Sequence, residues 1–477
     1  MSNIKNGGLL LLFFCFSSTI SFAQKWTKVS AGAYFSAALR SDGTIWETGQ
    51  NVNGVLGQGD TTHLNYFTQV EEDTDWTDIA AGNWHILALK SNGSLWAWGD
   101  NIRGQVGVGD STNRYRPQRI GTDKDWVYIS AGSRTSYAIK KDGSLWTWGW
   151  NVSGQIGDGT QIDRILPVNI EASHKWLKVG GGWAFTLALR DDGTIWGWGS
   201  NAHGQLGSNN FSNFLVPIQI GSDIDWSDIS ANWSFCLALK KNATLWSWGR
   251  NVNGELGLGI ASSDTCILPH QVGHDKDWAF IATGCSFSFG IKKDATLYGW
   301  GSDINGQLGD NSTNEENGPE QIGNDHNWIM VSGAHTNYNG TNVFGNHTLG
   351  IKGNTNTLCV TGDNGNGQLG NGTFAPDLAF DCSITTSGIN PYSFGIENKI
   401  SVYPNPTTDH INISFRSDVT NDRKIKITDL SGKIIYTRNE LNNSPLVQLD
   451  ISTYPKGIYI MVIVSNNNVF TSKIVKD

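Results

Sequence analysis

Seven tryptophans recur along the chain at a nearly constant interval, and this spacing constrains the fold more than any other sequence feature. They are Trp26, Trp76, Trp126, Trp176, Trp226, Trp278 and Trp328, separated by 50, 50, 50, 50, 52 and 50 residues. Self-similarity at a fixed period of this length is typical of a repeat architecture. Each tryptophan opens one copy of the repeat, so the sequence predicts seven similar structural units.

Each copy contains four short segments that favour β-strands. In the second copy they are "WTDIAA", "ILALK", "SLWAWG" and, after a loop, "RPQRI". An Asp-Gly or Asn-Gly pair between the second and third segments favours a type I′ hairpin in the first four copies. Asn242-Ala243 and Asp294-Ala295 stand there in copies five and six and fit such a turn less well. One small antiparallel sheet per copy buries little alone, so we expect an all-β, seven-bladed β-propeller.

The ends of the repeat region suggest how the ring closes. The first copy lacks a segment of the proline-containing type that ends the other copies. A spare segment, Ala375–Ile384, follows the seventh copy. We therefore expect Ala375–Ile384 to pair with the sheet of the first copy.

The third segment of the third copy, "WTWGW", separates scaffold tryptophans from a variable one. Trp146 and Trp148 have counterparts in most copies, and alternation along a strand places both on the side that faces a neighbouring blade. Trp150 has no such counterpart, because its position holds Gln, Asp, Ser or Arg in the other copies. We interpret Trp146 and Trp148 as scaffold and Trp150 as the best single candidate for a ligand contact.

Variable residues concentrate on one face of the predicted propeller. Since strand direction alternates within a blade, the loops after the first and third strands emerge together. Aromatic and arginine residues, which are enriched in binding hot spots, recur in these loops. Packing between blades is the alternative interpretation of the aromatic residues. The candidate binding residues are Trp150, Trp84, Trp183, Trp233, Tyr34, Arg134, Arg250 and His335.

Two further features of this face are a histidine that we interpret as structural and a loop insertion whose role the sequence leaves open. His85 fills a position that phenylalanine or threonine fills in the other copies, with Thr336 assigned to it in the seventh, so His85 is interpreted as structural. The seventh copy carries about ten extra residues within Ala334–His347. A long loop on a rigid scaffold is either a contact element or a tolerated surface insertion.

The repeats resemble the regulator of chromosome condensation repeat over about residues 25–384. The "AGxxxxxAL", "dG.lW.WG.N..GqLG" and "P..v" pieces carry the resemblance, and the GxxG pair is present in all seven copies. The pattern is also similar to secreted β-lactamase inhibitory protein II-like propellers, a branch that fits an exported chain better than the nuclear branch does. This resemblance implies a seven-bladed propeller that binds another protein.

Both ends of the sequence predict export. Residues 1–23 read as a signal peptide, with Lys5 before the apolar run "LLLLFFCF" and Ala23 at the cleavage site. The segments "ISVYPNPTTDHINISF", "KITDLSGKIIY" and "LDISTYPKGIYIMVIV" resemble the C-terminal sorting domain of type IX secretion substrates. We expect a propeller at 24–384, a linker at 385–399 and a small β-sandwich sorting domain at 400–477. The resemblance implies contact with the type IX secretion machinery and a secreted or cell-surface location.

Composition and motifs exclude several function classes. The formal net charge is -9 and no basic block is present, so we expect no nucleic acid partner. No segment is long enough to span a bilayer after the predicted signal peptide. No catalytic signature is found, and the acidic turns, such as "GDNSTNEEN", lack calcium-loop spacing, so neither enzyme activity, a metal nor a cofactor is predicted. Glycan binding, and a hydrolase or lyase site in the axial pocket, remain the alternatives to protein binding.

The cysteines leave their pairing open. Outside the predicted signal peptide the chain has five, Cys236, Cys266, Cys285, Cys359 and Cys382. An odd number at irregular spacing is not a disulfide framework. Cys359 and Cys382 either form a disulfide or act as small buried apolar residues.

Overall fold

The computed structural model describes most of the chain as β-strands joined by turns. It covers residues 25–260, 265–335, 346–353, 356–384, 400–403, 407, 409–415, 423–429, 433–440, 446–465 and 468–476. The predicted signal peptide, the predicted linker and most of the extra loop of the seventh copy lie outside the described residues. No helix occurs within the described ranges.

Seven four-stranded antiparallel sheets form the blades, and their strands pair in chain order. Blade 1 contains β1 (Trp26–Ala31), β2 (Phe35–Arg40), β3 (Ile45–Gly49) and β4 (Leu64–Gln69). Blade 2 contains β5 (Trp76–Ala81), β6 (His85–Lys90), β7 (Leu95–Gly99) and β8 (Arg114–Arg119). Blade 3 contains β9 (Trp126–Ala131), β10 (Thr135–Lys140), β11 (Leu145–Gly149) and β12 (Arg164–Ile170). Blade 4 contains β13 (Trp176–Gly181), β14 (Phe185–Arg190), β15 (Ile195–Gly199) and β16 (Phe214–Gln219).

The remaining three blades repeat the same plan. Blade 5 contains β17 (Trp226–Asn232), β18 (Phe235–Lys240), β19 (Leu245–Gly249) and β20 (Cys266–Val272). Blade 6 contains β21 (Trp278–Thr283), β22 (Phe287–Lys292), β23 (Thr296–Gly301) and β24 (Glu316–His326). Blade 7 contains β25 (Trp328–Gly333), β26 (His347–Lys352), β27 (Thr357–Gly362) and β28 (Asp377–Asp381). The first strands of consecutive blades contact one another around a closed ring, so they surround the axis.

The ring closes by packing between complete blades, so the strand exchange expected from the sequence is wrong. β28, which lies within Ala375–Ile384, pairs with β27 of its own blade, and blade 1 has its own fourth strand in Leu64–Gln69. The sequence misled because β4 carries no proline. At the junction the Ser36 hydroxyl lies 2.9 Å from Nε2 of His347, and the Tyr66 backbone bridges to Asn371.

The blade interiors follow the alternation predicted for the third strand. Trp148 is fully buried against blade 2, and its indole N–H donates to the Gln105 carbonyl at 2.9 Å. Trp146 faces the same side but is half-buried, and it contacts Trp126 edge to face at 6.0 Å. Trp148 therefore joins two blades, and Trp146 packs against the cluster of buried side chains that blades 2 and 3 share, as their interpretation as scaffold requires.

In each blade a lysine or arginine cation lies over the opening tryptophan, at the end where the second strand finishes. In blade 2, the Lys90 ammonium lies 4.6 Å from the Trp76 ring and 4.9 Å from the Trp96 ring, and it forms ion pairs with Asp73 and Asp75. Lysine or arginine takes this place over the opening tryptophan in all seven blades. This end of the propeller is occupied by repeated structural contacts.

The hairpin turns at this end require a positive φ in every blade for which the sequence predicts one. Gly43, Gly93 and Gly143 adopt φ values of 77°, 77° and 86°. Ala243 and Ala295 adopt 61° and 63° at the equivalent positions, a conformation that a Cβ atom disfavours. The turns at Ala243 and Ala295 are therefore locally strained, in agreement with the poorer fit expected from the sequence.

Blade 7 carries a disulfide between Cys359 on β27 and Cys382, which follows β28. The pairing was one of two possibilities left open by the sequence. Since β28 is the last strand of the ring, the disulfide fastens the outer edge of blade 7 to its neighbour strand. The other three cysteines of the described residues, Cys236, Cys266 and Cys285, do not take part in this disulfide.

The C-terminal region is a β-sandwich of two antiparallel sheets. One sheet has the order β29-β30-β33, and the other has the order β32-β31-β34-β35. Buried aliphatic side chains of both sheets, including Ile411, Leu449 and Ile425, form a shared core. The strands are β29 (Ile400–Tyr403), β30 (His410–Phe415), β31 (Arg423–Asp429), β32 (Ile434–Glu440), β33 (Leu446–Asp450), β34 (Gly457–Ser465) and β35 (Asn468–Lys476).

Candidate functional site

The loops after the first and third strands of each blade meet on one face, which we call the upper face. In blade 3 the Trp150 amide donates to the Arg134 carbonyl at 2.9 Å. The equivalent bond recurs in all seven blades, for example from Gln50 to Tyr34 and from Asp100 to Trp84. The predicted grouping of these loops is therefore confirmed, and a repeated backbone contact fixes where their variable side chains start.

An asparagine at the centre of each long loop holds its shape. Asn151 accepts a bond from the Ile156 amide at 2.8 Å and donates to the Thr160 carbonyl at 3.0 Å. Six copies have asparagine at this position, and the sixth copy has Asp303. The loop conformation is thus a property of the repeat, and the residues beside it are free to vary.

Three neighbouring positions on the upper face carry the variation. The first holds Ala33, Asn83, Ser133, Trp183, Trp233, Cys285 and His335, and the second holds Tyr34, Trp84, Arg134, Ala184, Ser234, Ser286 and Asn346. The third position follows the third strand and holds Gln50, Asp100, Trp150, Ser200, Arg250, Ser302 and Asp363. In blades 1 to 5 one of the first two positions carries a large side chain and the other a small one.

The structure corrects the alignment of the seventh copy. His347, not Thr336, opens β26 opposite Gly362, as His85 opens β6 opposite Gly99. The extra residues precede β26, so counting forward from Trp328 gave the wrong residue. Thr336 lies outside the described residues, as does most of the predicted contact loop.

Five aromatic side chains from five consecutive blades form two contacting groups on the upper face. Tyr34 and Trp84 have ring centroids 5.2 Å apart. Trp183 contacts Trp150 edge to face at 5.5 Å and Trp233 in a tilted arrangement at 5.8 Å. Trp183 is 43% exposed, and the other four are half-buried. We call these five residues the aromatic arc.

The backbone under the Trp183–Trp233 pair is held by side-chain and main-chain bonds. The Trp183 amide donates to the Trp233 carbonyl at 2.9 Å. Trp233 has a φ of 41°, and its amide donates to Asn232 Oδ1 at 2.7 Å. The Asn232 amide group in turn donates to the Thr283 carbonyl at 3.2 Å. Asn232 was not a sequence candidate, although it stands where most copies have glycine and is marked by that departure.

A charged pair separates the two aromatic groups. Arg134 Nε lies 3.4 Å from Asp100 Oδ2, and Gln105 donates to the same oxygen at 2.9 Å. Burial raises the pKa of the Asp100 carboxyl, while the Arg134 guanidinium opposes that rise. Arg134 remains partly exposed, so it can offer donors to a ligand beside the aromatic rings. Asp100 was not a sequence candidate, although its column of unlike residues marked it.

Arg250 and His335, the other two sequence candidates, are not part of the aromatic arc. Arg250 is 7% exposed, and its guanidinium forms an ion pair with the buried Glu255 at 2.6 Å. His335 is half-buried, and burial lowers the pKa of its imidazole to about 4. Neither adds much exposed surface to the aromatic arc.

His85 is buried in the blade 2–blade 3 interface. Its Nε2 lies 2.9 Å from the Ser136 hydroxyl, and burial, with smaller contributions from His335 and Arg134, lowers the pKa of His85 to about 3. The neutral imidazole therefore packs and bonds between blades. This position agrees with the interpretation of His85 as structural.

The axial end of the first strands carries paired charges. Lys28 forms an ion pair with Asp78, and Lys178 forms one with Asp228. The Tyr128 hydroxyl, between these pairs, donates to the Val179 carbonyl at 3.0 Å. Within the described residues, no three acidic, histidine or cysteine side chains converge in the manner of a metal centre.

Sequence comparisons identify the repeats. A family model of the regulator of chromosome condensation (RCC1) repeat matches residues 42–89, 92–139, 142–189, 192–239, 242–291 and 294–337, which is more than half of the chain. The chain belongs to the regulator of chromosome condensation repeat family. A second model of this repeat matches residues 26–55, 76–105, 126–155, 176–205 and 226–255. No curated protein matches the chain.

Solved structures of other propellers of this family share the fold. Human WBSCR16 is 21% identical with a TM-score of 0.60, covering 66% of this chain and 85% of its own. Prp20p from Saccharomyces cerevisiae, studied for its binding to Gsp1p and histones, is 18% identical with a TM-score of 0.63, covering 76% and 88%. The yeast Prp20 structure bound to Kap60 is 17% identical with a TM-score of 0.62, covering 80% and 90%. At these identities the likeness shows the fold alone.

The tail is a secretion system C-terminal sorting domain. Its family model matches residues 401–477, which include six of the seven strands of the sandwich in full. This domain directs export through the type IX system to the cell surface or the extracellular space. A search of the described residues for a helix long and apolar enough to cross a membrane found none. The chain therefore pairs a regulator of chromosome condensation propeller with a type IX export signal.

Proposed function

We propose that the exported propeller binds a protein partner through the aromatic arc on its upper face. The observation that carries this proposal is the continuity of Trp150, Trp183 and Trp233, which come from three blades and contact one another at centroid distances of 5.5 and 5.8 Å. Repeated loops do not require these residues, because other copies place small or polar side chains at the same positions. Binding hot spots are enriched in aromatic residues that are clustered on a rigid support.

Because these tryptophans are partly buried, their side chains lose little conformational entropy when a partner binds. The contacts among the rings and the Asn232 bonds hold Trp233 and Trp183 in place before a partner arrives. Only the exposed part of each ring remains to be buried, as with the 43% exposure of Trp183. Covering that surface contributes on the order of 1–2 kcal/mol per ring before the costs of association.

A protein is favoured over the other ligand classes by the shape and polarity of the surface. The aromatic arc spans five blades, and the Arg134–Asp100 pair between its two groups offers charged contacts as well as apolar ones. Prp20p, which has the same fold, is a propeller with protein partners. The axial carboxylates Asp78 and Asp228 are each held by a lysine, which favours a structural role over an enzymatic one there.

The test is capture followed by a measured affinity. The mature chain is immobilised and exposed to proteins from the surroundings of the organism, and the captured protein is purified and titrated. Trp183→Ala and the double variant W150A/W183A should weaken its binding by roughly tenfold or more. Lys141→Ala, an exposed change on the opposite face, should leave the affinity unchanged. Equal binding by W150A/W183A, or capture of a polysaccharide but no protein, would contradict the proposal.

A further inference from the structure

The loop of blade 6 differs from the other six loops at its central residue. Six copies place an asparagine there, whose Oδ1 accepts the amide of a residue five positions later and whose Nδ2 donates to a backbone carbonyl nine positions later. These Nδ2 bonds join Asn51 to Asp60, Asn101 to Asp110, Asn151 to Thr160, Asn201 to Asn210, Asn251 to Ile260 and Asn364 to Thr373, at 2.7–3.1 Å. Blade 6 has Asp303 instead, so a carboxylate replaces an amide.

Asp303 keeps the acceptor half of this arrangement and loses the donor half. Its Oδ1 accepts the Leu308 amide at 2.7 Å, as in the other blades. Its Oδ2 therefore occupies the place of the amide nitrogen, where it is buried and accepts from no N–H or hydroxyl group. The Asp303 side chain is fully buried, so it is not exposed to bulk solvent. A buried carboxylate oxygen without a partner carries a large desolvation cost.

The groups around Asp303 Oδ2 are acceptors as well. By the equivalence of the seven loops, Oδ2 points towards the Ser312 carbonyl, which is nine positions later. Asp310, seven positions later, lies where the side-chain oxygens of Asp158, Ser208 and Asn371 approach the central asparagine at 3.1–3.4 Å in their own blades. By this equivalence the buried Asp303 carboxylate, the half-buried Asp310 carboxylate and the Ser312 carbonyl face one another, and Glu316 adds negative charge nearby.

We propose that this blade 6 loop binds one calcium ion, with Asp303, Asp310 and the Ser312 carbonyl as protein ligands. Calcium takes carboxylate and peptide carbonyl oxygens at about 2.3–2.6 Å in flexible geometry. The cation supplies the positive partner that the asparagine amide supplies in the other six blades. Extracellular calcium modules work at 10⁻⁴–10⁻³ M, which suits an exported chain.

Charge balance in the same place agrees with a bound cation. The carboxylates of Asp310 and Glu316 lie close enough to that of Asp303 for their negative charges to repel it. Asp310 already accepts the Ser312 amide at 2.8 Å through Oδ1, so its side chain is oriented within the loop. A cation would relieve the repulsion between Asp303 and Asp310 without moving either residue far.

Calcium-dependent stability of the full exported chain tests this site. We expect the melting temperature at pH 7.5 to rise by several degrees in 2 mM calcium relative to EGTA, and titration calorimetry to give one calcium per chain. Magnesium, which demands stricter octahedral geometry, should give a smaller shift. Asp303→Asn restores the amide of the other six blades, so it should fold normally and lose the calcium response. Asp310→Asn should weaken calcium binding at least tenfold.

A matched variant separates the site from a general effect of a buried charge. Asn251→Asp places a carboxylate at the same position in blade 5, where Leu258 replaces the second carboxylate. This variant should lose stability and should not regain it with calcium. A melting temperature of the unmodified chain that is equal in calcium and EGTA would overturn the proposal. A calcium response that survives in Asp303→Asn would also overturn it. So would a melting temperature of the unmodified chain that changes with pH but not with calcium.

Discussion

Trp183 and Trp233 occupy the same position in adjacent blades and pack together, with ring centroids 5.8 Å apart and the Trp183 amide bonded to the Trp233 carbonyl at 2.9 Å. The repeat therefore brings two variable residues into register across a blade boundary. Trp150 extends the pair from a third blade. A repeat scaffold can build a continuous surface in this way from residues that are 33–83 positions apart in sequence.

Replacing an exposed tryptophan should cost much less stability than replacing a buried one. Trp183→Ala removes a ring that is 43% exposed, so we expect a loss of about 1 kcal/mol or less. Trp198→Ala removes a fully buried ring whose indole donates to the Gln155 carbonyl, and should cost about 3–5 kcal/mol. Chemical denaturation measures both values. Similar losses for the two variants would mean that Trp183 is a core residue.

Glu47 should make the propeller less stable at high pH. It is fully buried between blades 1 and 2, at a position that holds Ala97, Thr147, Gly197 or Ser247 in the next four blades. Burial raises the pKa of its carboxyl well above the usual value, and the Trp98 indole that faces it offsets only part of that rise. Neither carboxyl oxygen has a hydrogen-bond partner of normal geometry.

The sign of the effect follows from the raised pKa. The unfolded chain ionises Glu47 near its ordinary pKa, whereas the folded chain holds the proton, so stability is full below the unfolded value and falls as pH rises through the folded one. Glu47→Thr copies blade 3 and should raise the melting temperature by several degrees at pH 8 but little at pH 4.5. Glu72→Thr, at an exposed position, is the control and should shift neither. A gain for Glu47→Thr that is equal at both pH values would contradict the assignment.

Relieving the left-handed alanine turn should stabilise blade 6. Ala295 has a φ of 63°, so Ala295→Gly should raise the free energy of unfolding by about 0.5–1 kcal/mol. The reverse change in blade 4, Gly193→Ala, should cost more than that gain, because its Cβ would lie 2.2 Å from the Ile224 carbonyl oxygen. Urea titration of both variants is sufficient. A loss of stability for Ala295→Gly would show that the turn is not strained.

The disulfide of blade 7 should contribute to the stability of the whole ring. It links residues 23 positions apart and fastens β28, so reduction of the unmodified chain should cost about 2–4 kcal/mol. The double variant C359A/C382A should be destabilised to a similar extent and should not respond to dithiothreitol. An unmodified chain whose unfolding curve is the same with and without the reductant would refute this role.

The repeat period was sufficient to predict the architecture but not the closure of the ring. Regular spacing of Trp26 and its counterparts, with four strand segments per copy, predicted seven blades. Closure depends on packing between blades 1 and 7, which are distant in sequence. The fourth strand of blade 1 was overlooked because its segment Leu64–Gln69 lacks the proline found in later copies. Composition gives weak evidence for an edge strand, because no neighbouring strand on its outer side restricts which residues it contains.

The sequence predicted which residues of the candidate site vary between copies, but not how deeply each side chain is buried. Column-by-column comparison found Trp150, Trp183 and Trp233, because a repeat reveals which residues its own fold does not require. The same comparison also gave Arg250, which is buried by its ion pair with Glu255, since a column shows variation but not the partner of each side chain. Coupled changes of this kind, an arginine together with a glutamate, need the three-dimensional structure.

The most direct test of the proposed function is the affinity of the captured partner for the W150A/W183A chain relative to the unmodified chain, measured by titration calorimetry with Lys141→Ala in parallel. We predict a dissociation constant that rises by roughly tenfold or more for W150A/W183A and stays within about twofold for Lys141→Ala. An unchanged dissociation constant for W150A/W183A, or an equal rise for Lys141→Ala, would contradict binding through the upper face.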